Sequence, residues 1–277
     1  MRRAAALVSL IACAKGPSAP TRAADPPLEQ QCAHARMGWD CWLPVPSGTF
    51  RMGAQSSDAA APGYDPAATP DEGPVHPATV AERWMLKSEL SASTWATCVG
   101  AGRCRAEDRL NDPRDKDPHR SGLPATGLTF RGAVDACAFL GGRLPTEAEW
   151  EHAARADELR RFPWGDDERC PAADPLDPAG DKTPTVGFCL RQGPTDPGAL
   201  RHPSPFGLLG MAGNVWEWVD TAWGPYGGAP DPRGLKIQRG GAFTAESAAD
   251  VRSAARAAMP PDQAVHDVGA RCVWGPP

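Results

Sequence analysis

The sequence predicts an α+β chain: a single mixed, loop-rich domain with three short helices among scattered strands. Three observations lead there. Proline (31) and glycine (29) are abundant and spread along the chain, which breaks up long regular elements. Ten tryptophans offer large apolar surfaces where long periodic runs are missing. Apolar residues recur at helical spacing in only three short stretches and alternate in others. No internal repeat and no clean linker follow residue 31, so one domain over 32–277 is expected. Hydrophobic content of 41% and charged content of 23% are ordinary for a globular chain. A net charge of −5 leaves no basic footprint for nucleic acid.

In chain order, Val45–Gly53 reads as a strand between turns, and residues 55–74 as a long Ala/Pro/Asp/Gly loop. Val75–Leu90 should contain a strand. Ser91–Ala101 reads as a helix capped by Ser91 or Ser93, with Trp95, Cys98 and Val99 on one face. A Pro-broken loop over 103–124 precedes a second helix, Thr129–Leu140, in which Ala133, Ala136, Cys137 and Leu140 share a face. Gly141 and Gly142 end it. Thr146-Glu147-Ala148-Glu149 is a capping box opening a third helix, whose buried stripe is Trp150, Ala153 and Ala154. Residues 162–167 form an aromatic turn, and 168–205 are irregular. Phe206–Asp220 holds the central strand. Alternation places Trp216 and Trp218 on one face, and Val215, Glu217 and Val219 on the other. A lone Glu on an apolar face needs a partner, either a metal or other cationic ligand or an Arg salt bridge. Leu235–Phe243 and Gly269–Trp274 read as the last two strands.

The first residues carry targeting rather than fold. Met1-Arg2-Arg3 is basic, Ala4–Ala12 is apolar but too short to span a membrane, and Leu10-Ile11-Ala12-Cys13 follows. This resembles the bacterial lipoprotein signal. It implies a signal peptide over 1–12, lipidation of Cys13, a flexible tether over 13–31, and a protein facing the periplasm or exterior of the cell envelope. With Cys13 set aside, the remaining cysteines are even in number and suit an oxidising compartment. Cys32/Cys41, Cys98/Cys104 and Cys170/Cys189 have the spacing of local clips, which leaves Cys137 and Cys272. Spacing alone does not decide the connectivity. The six histidines (34, 76, 119, 152, 202, 266) show no paired metal-binding spacing and read as surface or hydrogen-bonded loop residues.

Seven stretches occur together: G-T-F-R-M-G (48–53), D-E-G-P-V-H (71–76), G-G-R-L-P-T-E-A-E-W-E-H-A-A-R (141–155), F-P-W-G-D (162–166), G-L-L-G-M-A-G-N-V-W-E-W (207–218), R-G-G-A-F (239–243) and G-A-R-C-V (269–273). In this order they resemble the formylglycine-generating enzyme, or sulfatase-modifying factor, family. The resemblance implies that family's variant of the C-type lectin fold and a Cys137–Cys272 disulfide. Catalytic members bind copper through two cysteines. Those positions here are Ala245 and Asp250, and Ala242 replaces the family's serine. Thiolates are the soft ligands copper(I) takes, so copper is not expected. Structural calcium is implied at the carbonyls of Gly213 and Val215 and the carboxylate of Glu217, with Gly210 where the family usually has Asn or Asp. A second calcium region implicates Asp174, Asp177 and Asp181.

These residues lead to a non-catalytic, membrane-tethered binding or scaffold lipoprotein as the expected function. Its partner would be an exported protein, peptide or glycan, met as a monomer on a face lined by Trp216, Arg239, Asp250 and Arg252. Two other classes stay open. One is a formylglycine-generating-type oxidoreductase acting on an exported protein. The other is a calcium-dependent, lectin-like binder.

Overall fold

The computed structural model describes residues 25–26, 31, 40–111, 121–167, 193–196, 200 and 202–274. Pro46 has no main-chain N–H to give a sheet ladder. It separates β2 (Gly48–Met52), the strand expected within Val45–Gly53, from β1 (Trp42–Val45), which the sequence reading did not anticipate. The next extended stretch holds two strands, β3 (His76–Val80) and β4 (Arg83–Leu86). β2 and β3 pair antiparallel as a two-stranded ribbon, with Gly48 opposite Val80 and Met52 opposite His76. β1 pairs antiparallel with β4.

Three capped helices follow. Ser91 Oγ accepts the Thr94 N–H at 3.1 Å and opens α1 (Ala92–Gly100). Thr129 Oγ1 accepts the Gly132 N–H at 3.0 Å and opens α2 (Phe130–Phe139). α3 (Glu147–Arg155) has the full capping box: Thr146 Oγ1 accepts the Glu149 N–H at 3.2 Å, and Glu149 Oε2 accepts the Thr146 N–H at 2.8 Å. Each hydroxyl satisfies an amide that the first helical turn leaves open.

The central strand is β5 (Trp216–Ala222). It lies between β6 (Lys236–Arg239), antiparallel, and β8 (Val268–Ala270), parallel. β7 (Arg256–Met259) extends this sheet beyond β6, and β9 (Val273–Trp274) joins β4 in the other sheet. β5 divides the interior as its alternation requires. Trp218 packs into a cluster with Trp42, Trp95, Leu128 and Cys137, while Val219 packs with Val45, Met85, Trp150 and Ile237. Each large apolar side chain so buried contributes about 1.5–3 kcal/mol.

Cys98–Cys104 and Cys137–Cys272 are disulfides. Cys41 is also disulfide-bonded, whereas Cys32, Cys170 and Cys189 lie outside the described residues. So do Cys13 and the segment read as a signal peptide. Three described residues of the expected tether are packed on the domain. Asp25 Oδ1 accepts the Trp84 Nε1–H at 3.0 Å, Pro26 is buried, and Gln31 pairs with Trp42 while donating to Pro26 O. No described helix is long and apolar enough to cross a membrane.

Candidate functional site

The loop entering β5 is shaped by left-handed backbone. Gly207, Gly210, Gly213 and Asn214 all have positive φ, 84°, 74°, 81° and 63° respectively. Glycine and, less freely, asparagine tolerate this region. The turn delivers Glu217 to a fully buried position, where its partner is Arg271. The Arg271 Nη2–H donates to Glu217 Oε1 at 2.7 Å, and Trp150 Nε1–H donates to Oε2 at 2.6 Å. Arg271 also donates to the carbonyls of Leu86 (2.9 Å) and Leu209 (2.6 Å). Of the two partners the sequence left open, the salt bridge is present, so Glu217 does not need a metal to balance its own charge.

Beside this pair sits a carboxylate that sequence reading passed over. Glu89, between β4 and α1, is completely buried. Its Oε1 accepts from Asn214 Nδ2 at 2.8 Å. Its Oε2 accepts no hydrogen bond, and the Arg271 guanidinium stands 3.9 Å away. Burial pushes the Glu89 carboxyl up to about 8; Arg271 opposes the shift and Glu217 adds to it. The only signal for Glu89 in the sequence is an acidic residue next to Leu90 ahead of a helix cap, which also fits a solvated position.

Among the described residues no three His, Cys, Asp or Glu side chains form a metal-binding group. A calcium at this loop would therefore draw on two carboxylates, Glu217 and Glu89, and on main-chain carbonyls such as Gly213 and Val215. All of these are oxygen donors, the class calcium takes. The orphaned Glu89 Oε2 is an atom such an ion would satisfy. Asp174, Asp177 and Asp181 lie outside the described residues.

The copper positions do not fit copper. After β6, Gly240 and Gly241 turn the chain with φ of 94° and 73°. A Cβ at Gly241 would lie 2.7 Å from the Asp250 carbonyl oxygen, so the two segments touch through backbone. Ala245 packs its methyl with Trp164 and Ala212 against Phe162, Ala248 and Val251. Asp250 Oδ2 accepts from the Ser247 N–H and Oγ–H, each at 3.2 Å, and caps a short turn over Ala248–Val251. Neither side chain offers sulfur, and every described cysteine is disulfide-bonded.

The expected binding face needs correction. Arg239 and Arg252 are not on it; both are buried. Arg239 lies between Glu147 (3.2 Å) and Glu151 of α3, and it donates to the Ala254 and Ser253 carbonyls. Arg252 pairs with Glu72 (2.7 Å) and Asp65 (3.1 Å). A guanidinium out of water needs carboxylates and carbonyls around it, and α3 and the 65–72 loop supply them. What remains at the surface is half-buried Trp216 with the exposed or partly exposed Phe243, Thr244, His266 and Asp267. The Trp216 N–H donates to Asp267 O at 2.9 Å, the Thr244 hydroxyl meets Asp267, and Phe243 and His266 have ring centroids 6.0 Å apart. Half-buried Asp250 is tied to Ser247.

His152 is a second correction. It is buried within α3 rather than placed on a surface or loop. Its ring lies between Phe50 (5.3 Å) and Phe206 (5.2 Å). Arg83 Nη2 donates to Nδ1 at 3.1 Å, which leaves the ring proton on Nε2, facing Asp157 Oδ1 at 3.3 Å. Burial, then the Arg83 charge, lowers its pKa.

With this geometry in hand, similarities to known proteins are informative. A family model described as "Sulfatase-modifying factor enzyme 1-like domain" matches residues 33–276. The formylglycine-generating enzyme of Mus musculus is 29% identical over 222 residues, which cover 72% of this chain and 53% of that protein. The mouse protein named "Inactive C-alpha-formylglycine-generating enzyme 2" is 33% identical over 158 residues, 54% of this chain and 48% of its own length. The chain spans about half the length of these two relatives. Among solved structures, PvdO from Pseudomonas aeruginosa superposes with a TM-score of 0.60 at 23% identity, covering 84% of this chain and 93% of that one. That likeness shows the fold.

Proposed function

Because the chain belongs to the sulfatase-modifying factor enzyme 1-like domain family, we propose that it is a non-catalytic, membrane-tethered lipoprotein that binds an exported protein, peptide or glycan. One observation carries the non-catalytic part. Where catalytic members hold two thiols, this chain has an alanine methyl in an apolar patch and a carboxylate engaged in capping a turn. A relative named as inactive supplies a precedent for the fold without the activity. The tether rests on Met1-Arg2-Arg3, the short apolar run and Cys13. The binding face is the Trp216, Phe243, Thr244, His266 and Asp267 surface, whose aromatic rings suit recognition.

Purified protein incubated with copper(I), oxygen and a cysteine-containing sulfatase peptide is expected to leave the peptide unchanged by mass spectrometry. Formylglycine in the product overturns the non-catalytic reading. Labelled palmitate fed to expressing bacteria should appear in the wild-type protein and be lost in Cys13→Ala. Equal labelling of the two overturns the tether.

A further inference from the structure

The chain is fastened to the domain before β1 begins. Asp25 Oδ1 accepts the Trp84 Nε1–H at 3.0 Å, Pro26 is buried, and Gln31 Nε2 donates to the Pro26 carbonyl at 2.9 Å. Gln31 also pairs, parallel, with Trp42 on β1. β1 is an outer strand of the β1–β4–β9 sheet, so these contacts strap the incoming chain to that sheet's edge.

The same sheet carries an apolar row that the fold leaves partly in water. Pro44, Trp84 and Trp274 lie opposite one another across β1, β4 and β9, so their side chains share one face. Further along that face, Trp42 and Leu86 are buried in the core. At the row itself burial is incomplete: Pro44 is exposed, and Trp84 and Trp274 are half-buried. Tryptophan with an apolar body and a wet margin suits a lipid–water interface.

Length decides what this row meets. On the lipoprotein reading, on which this inference rests, lipid is attached at Cys13 and residues 14–24 join it to Asp25. These eleven residues span at most about 40 Å. A domain over 32–277 has a radius of gyration of about 18 Å, which for a sphere gives a radius of about 23 Å and a half-girth of about 70 Å. The tether is too short to pass round it. A chain free as far as residue 31 would reach about 65 Å, nearly enough. Lys15 and Arg22 are the only charged residues among 14–24, and both suit an anionic lipid surface.

We propose that the Pro44, Trp84 and Trp274 row is the membrane-facing surface of the domain, held at the lipid headgroups by the strap contacts of Asp25, Pro26 and Gln31. The strap shortens the tether, and the shortened tether fixes which side of the domain meets the bilayer.

The test uses the full chain, expressed in bacteria and reconstituted into phosphatidylcholine–phosphatidylglycerol vesicles that contain a lipid with a photoactivatable headgroup. Protein–lipid adducts are mapped by mass spectrometry. In the wild type they should concentrate on the segments bearing Pro44, Trp84 and Trp274. A Gly/Ser insert of about twenty residues between Ala24 and Asp25 extends the reach past the half-girth and should spread the adducts over the domain. Asp25→Ala with Gln31→Ala removes both side-chain hydrogen bonds of the strap and should shift the pattern the same way. Wild-type adducts spread evenly, or concentrated on another face, overturn the proposal. A pattern lost with the insert but kept in the double variant overturns the role of the strap. Protein that fails to float with the vesicles, as Cys13→Ala should, overturns the lipoprotein reading itself, and the orientation falls with it.

Discussion

At the scale of single residues, the interior is governed by charges that the chain had to solvate with its own groups. His152 shows the consequence most directly. Arg83 points a donor at Nδ1, and Arg83 itself is charged at neutral pH, although burial has lowered it to about 10. The ring is therefore held neutral, and its pKa lies below the ordinary value. The sign follows from proton counts. As pH falls below about 6.5, the unfolded chain takes up a proton that the folded ring refuses, so the folded state loses stability until its own lower pKa is passed. Above about 6.5 both states are neutral and the group contributes no slope. His152→Gln keeps an acceptor for Arg83 and a donor for Asp157 without titrating. Urea denaturation from pH 7.5 down to pH 5.5 should show wild type losing stability relative to His152→Gln. Parallel curves would assign the acid sensitivity elsewhere. Nothing local in the sequence gives this histidine away. Its partners come from β2, β4 and the loop before β5, and only the packing of those elements around α3 takes it out of water.

Among the elements, α3 divides what could be read from what could not. Its start was legible because a capping box is a local device: Thr146 and Glu149 need only each other. Replacing Thr146 by Ala should cost about 1 kcal/mol in urea denaturation. A loss near zero would mean that the Glu149–Arg143 pair, at 2.8 Å, holds the helix start without the hydroxyl. The Trp150, Ala153 and Ala154 stripe was legible too, since it repeats at helical spacing. The opposite face was not. Glu147, Glu151 and Arg155 look like a solvated charged face, yet all three are buried. The partners of the two carboxylates, Arg239 and Arg256, arrive on β6 and β7, some ninety or more residues away, while Arg155 donates to Glu151 and to the carbonyls of Arg51 and Gly53. β7 was missed for a related reason. Arg256-Ala257-Ala258-Met259 has neither alternation nor β-branched residues, and it becomes a strand only by pairing with β6. That Ala245 and Asp250 occupy the positions of the two family cysteines could be read by counting along the chain. The placement of Arg239 and Arg252 inside rather than on a binding face could not, because it depends on which carboxylates α3 and the 65–72 loop bring.

For the whole molecule, the short, irregular elements raise the question of what keeps distant segments together. Two of the disulfides, both ends of which lie among the described residues, answer it unequally. Cys137–Cys272 joins α2 to the segment between β8 and β9 across a separation of 135 residues, while Cys98–Cys104 closes a separation of 6. In the chain-entropy account the cross-link stabilises by restricting the unfolded chain, with a loss that grows with the logarithm of loop length, roughly 5 kcal/mol for the long loop and roughly 2 kcal/mol for the short one. The comparison is clean because all four cysteines are buried in the same apolar cluster. Truncating either pair to alanine removes comparable packing, so the difference between the two double variants isolates loop closure. Chemical denaturation should show Cys137→Ala with Cys272→Ala losing about 3 kcal/mol more than Cys98→Ala with Cys104→Ala. Arg271, next to Cys272, anchors Glu217 as well, so the long bridge also positions the guanidinium that meets the central strand. If the two pairs cost the same, the long bridge is a local clamp on α2 and the fold is held together by its buried ion pairs.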